Sequence, residues 1–336
     1  MGSEVERAVN LDGWIPSQFF LRFGVPRVRW IFLDYERLLD PFFEQTLLHQ
    51  MSHPFHHLFS RETSVDTLIE WSASTPLVTP KGFIFHMSRC GSTLISQMLA
   101  ESERNIVASE PAPLDGVLRA HFLIRGLSSE VQSEWVRAMV GALSQPRAGG
   151  EQAFYLKLDC WHTHQIDLVR CAFPDVPLIF VYRDPHEVMV SHARTPAAWT
   201  VPELLRPEAL RLQPEDWEPM SMDAYCAKAL AAICQSGLDA IQRHGGLLVN
   251  YSELPEAMFG RLFDHFDLAA EDIPAMRAKA QFNAKSPQIG FTSDTGPKRD
   301  QVTERLRLVV SKHLMRVYDQ LELARQAQLR TFEASP

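Results

Sequence analysis

The stretch from Phe83 to Leu99, FIFHMSRCGSTLISQML, admits few folds. Phe83 to His86 is a short apolar run that reads as a buried strand, and Leu94, Ile95, Met98 and Leu99 recur at helical spacing. Between them lies a tight turn of small, polar and cationic residues with Gly91 at its bend. Strand, turn and helix in that order place a helix N-terminus over an anion, phosphate above all. Gly91 lets the backbone approach closely and turn its N–H groups inward. Ser92 and Thr93 add hydroxyls, and Arg89 adds a forked cation. A nucleoside-triphosphate loop has a lysine after its last glycine, then Ser or Thr for magnesium. Here Ser92 follows Gly91 directly, and the cation precedes the glycine.

The rest of the chain repeats the rhythm. Runs at 105–109, 153–158, 176–182 and 247–251 read as four more strands. Helices are expected near 113–124, 129–143, 164–172, after Pro185, across 221–243, near 252–266 and 274–280, and from Asp300 to the low 320s. Thr195 to Pro219, rich in proline and tryptophan, reads as a surface excursion or lid, and Ser286 to Lys298 as a loop. Alternation of this kind predicts an α/β fold, a P-loop-type parallel five-stranded sheet flanked by helices. Residues 1–80 lack it. Helices at Leu39–Met51 and Ser64–Ala73, the second capped by Ser64, sit among scattered aromatic residues. They are expected to form an N-terminal extension packed on a catalytic domain at 81–330, or part of an acceptor pocket. His56 and His57 are adjacent, face different ways and have no third ligand at a useful spacing, which argues against a metal.

In a parallel sheet, ligands lie beyond the carboxyl ends of the strands. Four such ends are polar: Ser88 to Thr93, Glu110, Lys157 with Asp159, and Arg183 to Ser191. Arg183 closes a strand and Ser191 lies eight positions later on the following helix, so a fixed cation and a hydroxyl could meet a dianion near a helix start. Arg183 could instead pair with Asp184 or Glu187 on the surface. Glu110 could cap the helix after Pro111, Asp159 could be the N-cap of the helix after the third strand, and Lys157 could pair with Asp159.

Arg-x-Gly-Ser-Thr at a strand–helix junction resembles the 5′-phosphosulfate loop of the sulfotransferase superfamily, with Met87 and Ser88 in place of its proline region and Cys90 where serine is common. Arg183 and Ser191 resemble that family's 3′-phosphate site. Asn250-Tyr251-Ser252-Glu253-Leu254 resembles its Tyr-Glu-x-Leu segment, and the loop 292–299, with Lys298 and Arg299, its closing C-terminal loop. The resemblance spans roughly Gly82 to Leu254 and implies a sulfotransferase fold. It implies 3′-phosphoadenosine 5′-phosphosulfate (PAPS) as donor, adenosine 3′,5′-bisphosphate (PAP) as product and no metal. Arg89, Cys90, Gly91, Ser92, Thr93, Arg183, Ser191, Tyr251, Lys298 and Arg299 would hold the nucleotide. Arg89 would also support the leaving group, Lys157 would touch the sulfuryl group, and Glu110 would be the base, preferred over Asp159. Glu110 lies 21 positions after Arg89, the separation of loop arginine and catalytic glutamate in tyrosylprotein sulfotransferases. The acceptor, a small molecule or peptide, stays open. Two other readings remain: a magnesium-dependent kinase with Asp159 as its metal ligand, and a non-catalytic nucleotide-binding protein.

Composition narrows the field. A formal net charge of −8 argues against nucleic acid as a partner. Nothing has the length of a membrane span, and the N-terminus has no apolar leader. The five cysteines, Cys90, Cys160, Cys171, Cys226 and Cys234, are scattered without a ligand spacing, as in a reduced cytoplasmic protein. Cys90 and Cys160 end two strands and could approach each other. Met189, Trp199, Trp217 and Phe291 are candidates for an acceptor pocket.

Overall fold

A computed structural model describes residues 9–52, 54, 60–201, 204–212, 220–284, 286–290 and 300–334. Its centre is a five-stranded sheet of β4 (Pro80–His86), β5 (Asn105–Ser109), β6 (Ala153–Lys157), β7 (Leu178–Tyr182) and β8 (Leu247–Asn250), in the order β5-β6-β4-β7-β8. All four pairings are parallel. Parallel strands are covered on both faces, so they read as unbroken apolar runs. Phe83, Ile84 and Phe85 of β4 and Leu178 to Tyr182 of β7 are accordingly shut off from solvent. Helices flank the sheet. The long α8 (Met222–His244) lies against β7, where Gly237 leaves room for the Phe180 ring, and a Cβ there would sit 2.6 Å from it. The order of strands sends the chain from β4 to one edge, and from β7 to the other. The carboxyl end of β4 is therefore flanked by two crossovers that leave in opposite directions, the usual place for a ligand.

The N-terminal region contains an antiparallel sheet that the sequence reading did not foresee. β1 (Trp14–Arg22) and β2 (Val25–Phe32) form a hairpin, and β3 (Ser60–Ser64) pairs with β2. Two helices accompany it, α1 (Phe43–Met51) and α2 (Val65–Ser74), and Ser64 caps α2 by accepting from the Thr67 N–H at 3.0 Å, as expected. This sheet shares one apolar core with the parallel sheet. Phe19 packs on Trp135 and over Gly116, while Trp30 meets Trp71 edge-on. Gln145 stitches the two parts together: its carbonyl accepts from the Gly13 N–H, and its amide donates to the Leu11 and Trp14 carbonyls.

Other differences have local causes. The helix expected near 252–266 is two 3-10 turns and a short helix at Arg261–His265, because Pro255 and Gly260 interrupt it. The last helix is two, Glu304–His313 and Met315–Glu333, with a break at Leu314. Part of the loop expected from Ser286 is a strand, Ser286–Gly290, paired with Phe282–Asn283. The segment after Thr195 is no surface excursion where it is described, since Trp199, Leu205, Leu210 and Leu212 are buried. No helix among the described residues is long and apolar enough to cross a membrane.

A shared core makes a prediction. Trp30→Ala should cost about 3–5 kcal/mol by leaving a cavity, and the whole chain should still unfold in one transition. Two calorimetric transitions, only the first of them shifted, would contradict a single cooperative unit.

Candidate active site

The turn after β4 is built from unusual backbone. Ser88, Arg89 and Gly91 have φ of 79°, 54° and 90°. Positive-φ residues in a tight turn can aim successive amides toward one concavity, which suits an anion. Gly91 is required twice over: its φ favours glycine, and a Cβ would lie 2.6 Å from the Tyr251 ring. α3 (Ser92–Ala100) starts here with Gly91 as its N-cap, and no side chain caps it. The Arg89 guanidinium donates to the Thr195 carbonyl at 2.8 Å, joining the turn to the end of α7 (Pro185–Arg194).

The second corner follows β7. Asp184 caps α7 by accepting from the His186 and Glu187 amides. Arg183 does pair with Glu187, at 2.6 Å, but in the interior and not on the surface: both side chains are buried. The Arg183 guanidinium also lies 3.9 Å from the centre of the Tyr251 ring. Stacking and ion pairing hold this cation in one orientation. Ser191 stands further along the same helix.

A third group joins β5 and β6. Lys157, the last residue of β6, has no exposed surface, and its Nζ lies 2.8 Å from Glu110 Oε1. It donates to Thr93 Oγ1 at 3.3 Å and lies 4.6 Å from the centre of the Phe42 ring. Lys157 thus pairs with Glu110, not with Asp159. Glu110 has a φ of 54° and does not cap the helix that follows, α4 (Ala112–Leu118). His86 ends β4. Its Nδ1 accepts from the Ser88 N–H at 3.0 Å, and its Nε2 lies 3.3 Å from Glu110 Oε1. Burial holds the His86 pKa below the ordinary range, so the ring is neutral. Burial disfavours the ionised Glu110, but Lys157 and His86 outweigh it and hold the carboxyl well below the usual range.

Asp159 is the N-cap of the 3-10 helix Cys160–Gln165, and its N–H donates to His162 Nδ1 at 3.2 Å. Burial, then the neighbouring Glu110 and Asp115 carboxylates, push its pKa well above the usual range. Asp115 lies behind it, with Oδ1 2.8 Å from both Trp161 Nε1 and His162 Nε2. Asp115, Asp159 and His162 bring ligand-type atoms within 4.8 Å of one another. The Asp115 oxygens are already engaged there by Trp161, His162 and Arg119.

The three groups open into one cleft of about 570 Å³. Its walls include the turn from Arg89 to Thr93, then Glu110, Asp159, Arg183, Ser191 and Tyr251. Lys157 is beneath the wall rather than on it. Cys90 contributes a buried thiol whose Sγ donates to the Val181 carbonyl, and burial pushes its pKa up to about 11. Cys160 is buried and raised as well, and both are free. Lys298, Arg299 and the loop around them, and also His56, His57, Trp217 and Phe291, lie outside the described residues. Trp199 lines the cleft, whereas Met189 is in the core. The lining residues that had escaped the sequence reading include Phe42, from the N-terminal region, His86 and Trp161. Aspartate before Pro41 drew attention to a helix start there, but nothing in the sequence points Phe42 at Lys157.

No family model and no curated protein sequence matches the chain. Among solved structures it is similar to the sulfotransferase STF9 of Mycobacterium avium, at 16% identity over 74% of this chain and 80% of that one, with a TM-score of 0.46. It is also similar to the sulfotransferase domain of the Synechococcus PCC 7002 olefin synthase, at 16% identity over 71% and 96% of the two chains and a TM-score of 0.41. A third is a sulfotransferase from Alicyclobacillus acidocaldarius, at 13% identity over 72% and 97% and a TM-score of 0.37. At such scores the likeness adds no weight to the site, which stands on its own geometry.

Two predictions follow from the electrostatics. Lys157→Met should cost about 3–5 kcal/mol in chemical denaturation by stranding the Glu110 carboxylate, and adding Glu110→Gln should restore most of it. A double variant no more stable than the single one would show that the pair is not coupled. A carboxyl whose folded pKa is raised lowers stability as pH climbs from the ordinary aspartate range through the raised value. Asp159→Asn should therefore raise the thermal midpoint at neutral pH, with an advantage that shrinks as pH falls toward 4 (about the ordinary aspartate pKa). An advantage independent of pH would assign the effect to packing.

Proposed function

We propose that this protein is a sulfotransferase that moves a sulfuryl group from PAPS to a hydroxyl or amine acceptor. The observation that carries the reading is that two separate strand-to-helix corners, at Arg89 to Thr93 and at Arg183 with Ser191, open into the same cleft. A nucleotide phosphorylated at both 3′ and 5′ positions needs two anion sites held at a fixed separation. The turn and the start of α3 suit the 5′-phosphosulfate, with donors from Ser92 and Thr93 and charge from Arg89. Arg183 and Ser191 suit the 3′-phosphate. The cleft volume lies within the range of nucleotide-sized sites.

On this reading the acceptor oxygen or nitrogen attacks sulfur in line, and the bond from sulfur to the bridging oxygen breaks. The negative charge goes to the 5′-phosphate of PAP, and the acceptor proton goes to a carboxylate. Glu110 is the proposed base. Paired with Lys157 it holds protons weakly. An anionic donor would share the ammonium through Thr93, which loosens that hold and raises the proton affinity of Glu110. Asp159 is the second candidate, favoured by one observation: burial and its acidic neighbours already raise its proton affinity, the direction a general base needs. A small-molecule or peptide acceptor and a cytoplasmic location complete the proposal.

The test is transfer of labelled sulfate from PAPS into a mixed acceptor extract without added metal, with mass spectrometry of the product. Turnover of ATP that requires magnesium would favour a phosphotransferase instead. Arg183→Ala should weaken PAP binding about 100-fold or more, with a much smaller effect on the analogue lacking the 3′-phosphate, because a buried cation facing a phosphate is removed. Equal losses in calorimetry would remove Arg183 from the 3′-phosphate site. Glu110→Gln should keep PAP affinity and lose turnover about 100-fold or more. Full activity there, together with loss in Asp159→Asn, would move the base to Asp159.

A further inference from the structure

We infer that His86 is a positioning residue that locks the phosphate-binding turn and the proposed base into one unit, an inference that rests on reading Glu110 as that base. The imidazole is 5% exposed and sits at the carboxyl end of β4, between the turn and Glu110. Its two nitrogens face different partners. Nδ1 receives the Ser88 N–H at 3.0 Å, so it carries no hydrogen. A neutral imidazole with a bare Nδ1 carries its hydrogen on Nε2. Nε2 lies 3.3 Å from Glu110 Oε1, a long contact outside good hydrogen-bond alignment, and the Leu158 backbone also lies beside the ring. Ser88 therefore dictates the tautomer, and the tautomer dictates that a donor, never an acceptor, points at the carboxylate.

The arrangement has consequences at both ends. Ser88 holds a φ of 79°, a strained value for a residue with a side chain, and its amide is fixed by His86. Glu110 also holds strained backbone, and its Oε1 lies between Lys157 Nζ and His86 Nε2. With Lys157 on one side and the imidazole on the other, Oε1 is directed inward. The second oxygen, Oε2, is the one left to accept the proton from the attacking group. If an incoming anion draws the ammonium away, the imidazole is what keeps the carboxylate aimed. His86 itself exchanges no proton with the substrate.

The two contacts can be separated, because an asparagine oxygen overlays imidazole Nδ1 and a glutamine nitrogen overlays Nε2. His86→Asn keeps the acceptor for Ser88 and loses the donor at Glu110. PAP affinity by calorimetry should stay within about twofold of the parent, and sulfate transfer at saturating PAPS should fall about threefold to tenfold, the scale of one ordinary hydrogen bond. His86→Gln should do the reverse, weakening PAP about fivefold to tenfold while sparing more of the rate. Equal effects of both variants on affinity and rate, or a fully active His86→Asn variant, would overturn the inference. Nitrogen NMR of the intact parent protein gives a reading that needs neither variant nor turnover. It should show His86 neutral with hydrogen on Nε2 between about pH 6 and 8, the window in which an ordinary histidine titrates. A charged ring or hydrogen on Nδ1 would overturn the inference. A parent protein that neither binds PAP nor transfers sulfate overturns the donor reading instead, and a His86 tautomer as described would then stand as geometry without that role.

Discussion

A lysine with no contact with water ties this molecule together. An ammonium in the interior is tolerated only where a matching charge and further acceptors surround it. Lys157 finds the charge in Glu110, an acceptor in Thr93 and an aromatic face in Phe42. Those three residues come from the end of β5, the start of α3 and the N-terminal region. One nitrogen therefore sits where a strand end, the start of α3 and the start of α1 meet. Such a pair is weak evidence for stability, since well-packed apolar groups often do as well. What it supplies is a single arrangement, and a charge that can be shared with an anion entering above Thr93.

The strain in the backbone is distributed to match. Seven residues other than glycine have positive φ among those described, and three of them, Ser88, Arg89 and Glu110, border this one cleft. Each such residue costs about 1–3 kcal/mol and persists only where its surroundings over-determine it. Here the surroundings are β6, β7 and the last five residues of β4, all of them buried. Rigid strands feed a strained turn, so the amides of the turn are aimed before any ligand arrives. Pre-aimed dipoles need little reorganisation when a charge arrives.

The parallel sheet was legible because burial on both faces writes each strand as an unbroken apolar run bounded by glycine, proline or charge. β5 and α5 (Ser129–Leu143) have the limits expected of them. The N-terminal sheet was not legible, although Val28 and Trp30 alternate with Arg27 and Arg29 in β2. Pro16 and Pro26 lie inside its strands, and proline in a strand argues against the assignment. β1 carries a register shift between Pro16 and Gln18, and β3 is polar, with its first three residues exposed and no hydrophobic signal at all. In the site, the residues that stand at strand ends were readable from the rhythm alone. The pairing of Lys157 with Glu110 was not, since the two are separated by 46 intervening residues and meet only because β5 and β6 are neighbours. His86 gave no signal either: one histidine closing an apolar run looks like any strand end.

Two carboxylates in one cleft have proton affinities shifted in opposite directions. Lys157 and His86 lower the proton affinity of Glu110 against the effect of burial, while burial, then Glu110 and Asp115, raise that of Asp159. Environments that push two acids apart are how a single site can give them different proton affinities. The asymmetry depends on one cation. Were Lys157 drawn toward an anion, Glu110 would gain proton affinity. A proton taken up by Glu110 would in turn relieve the repulsion that raises Asp159. The two acids are thus linked through a lysine that touches only one of them, and any change at Lys157 must be read at both.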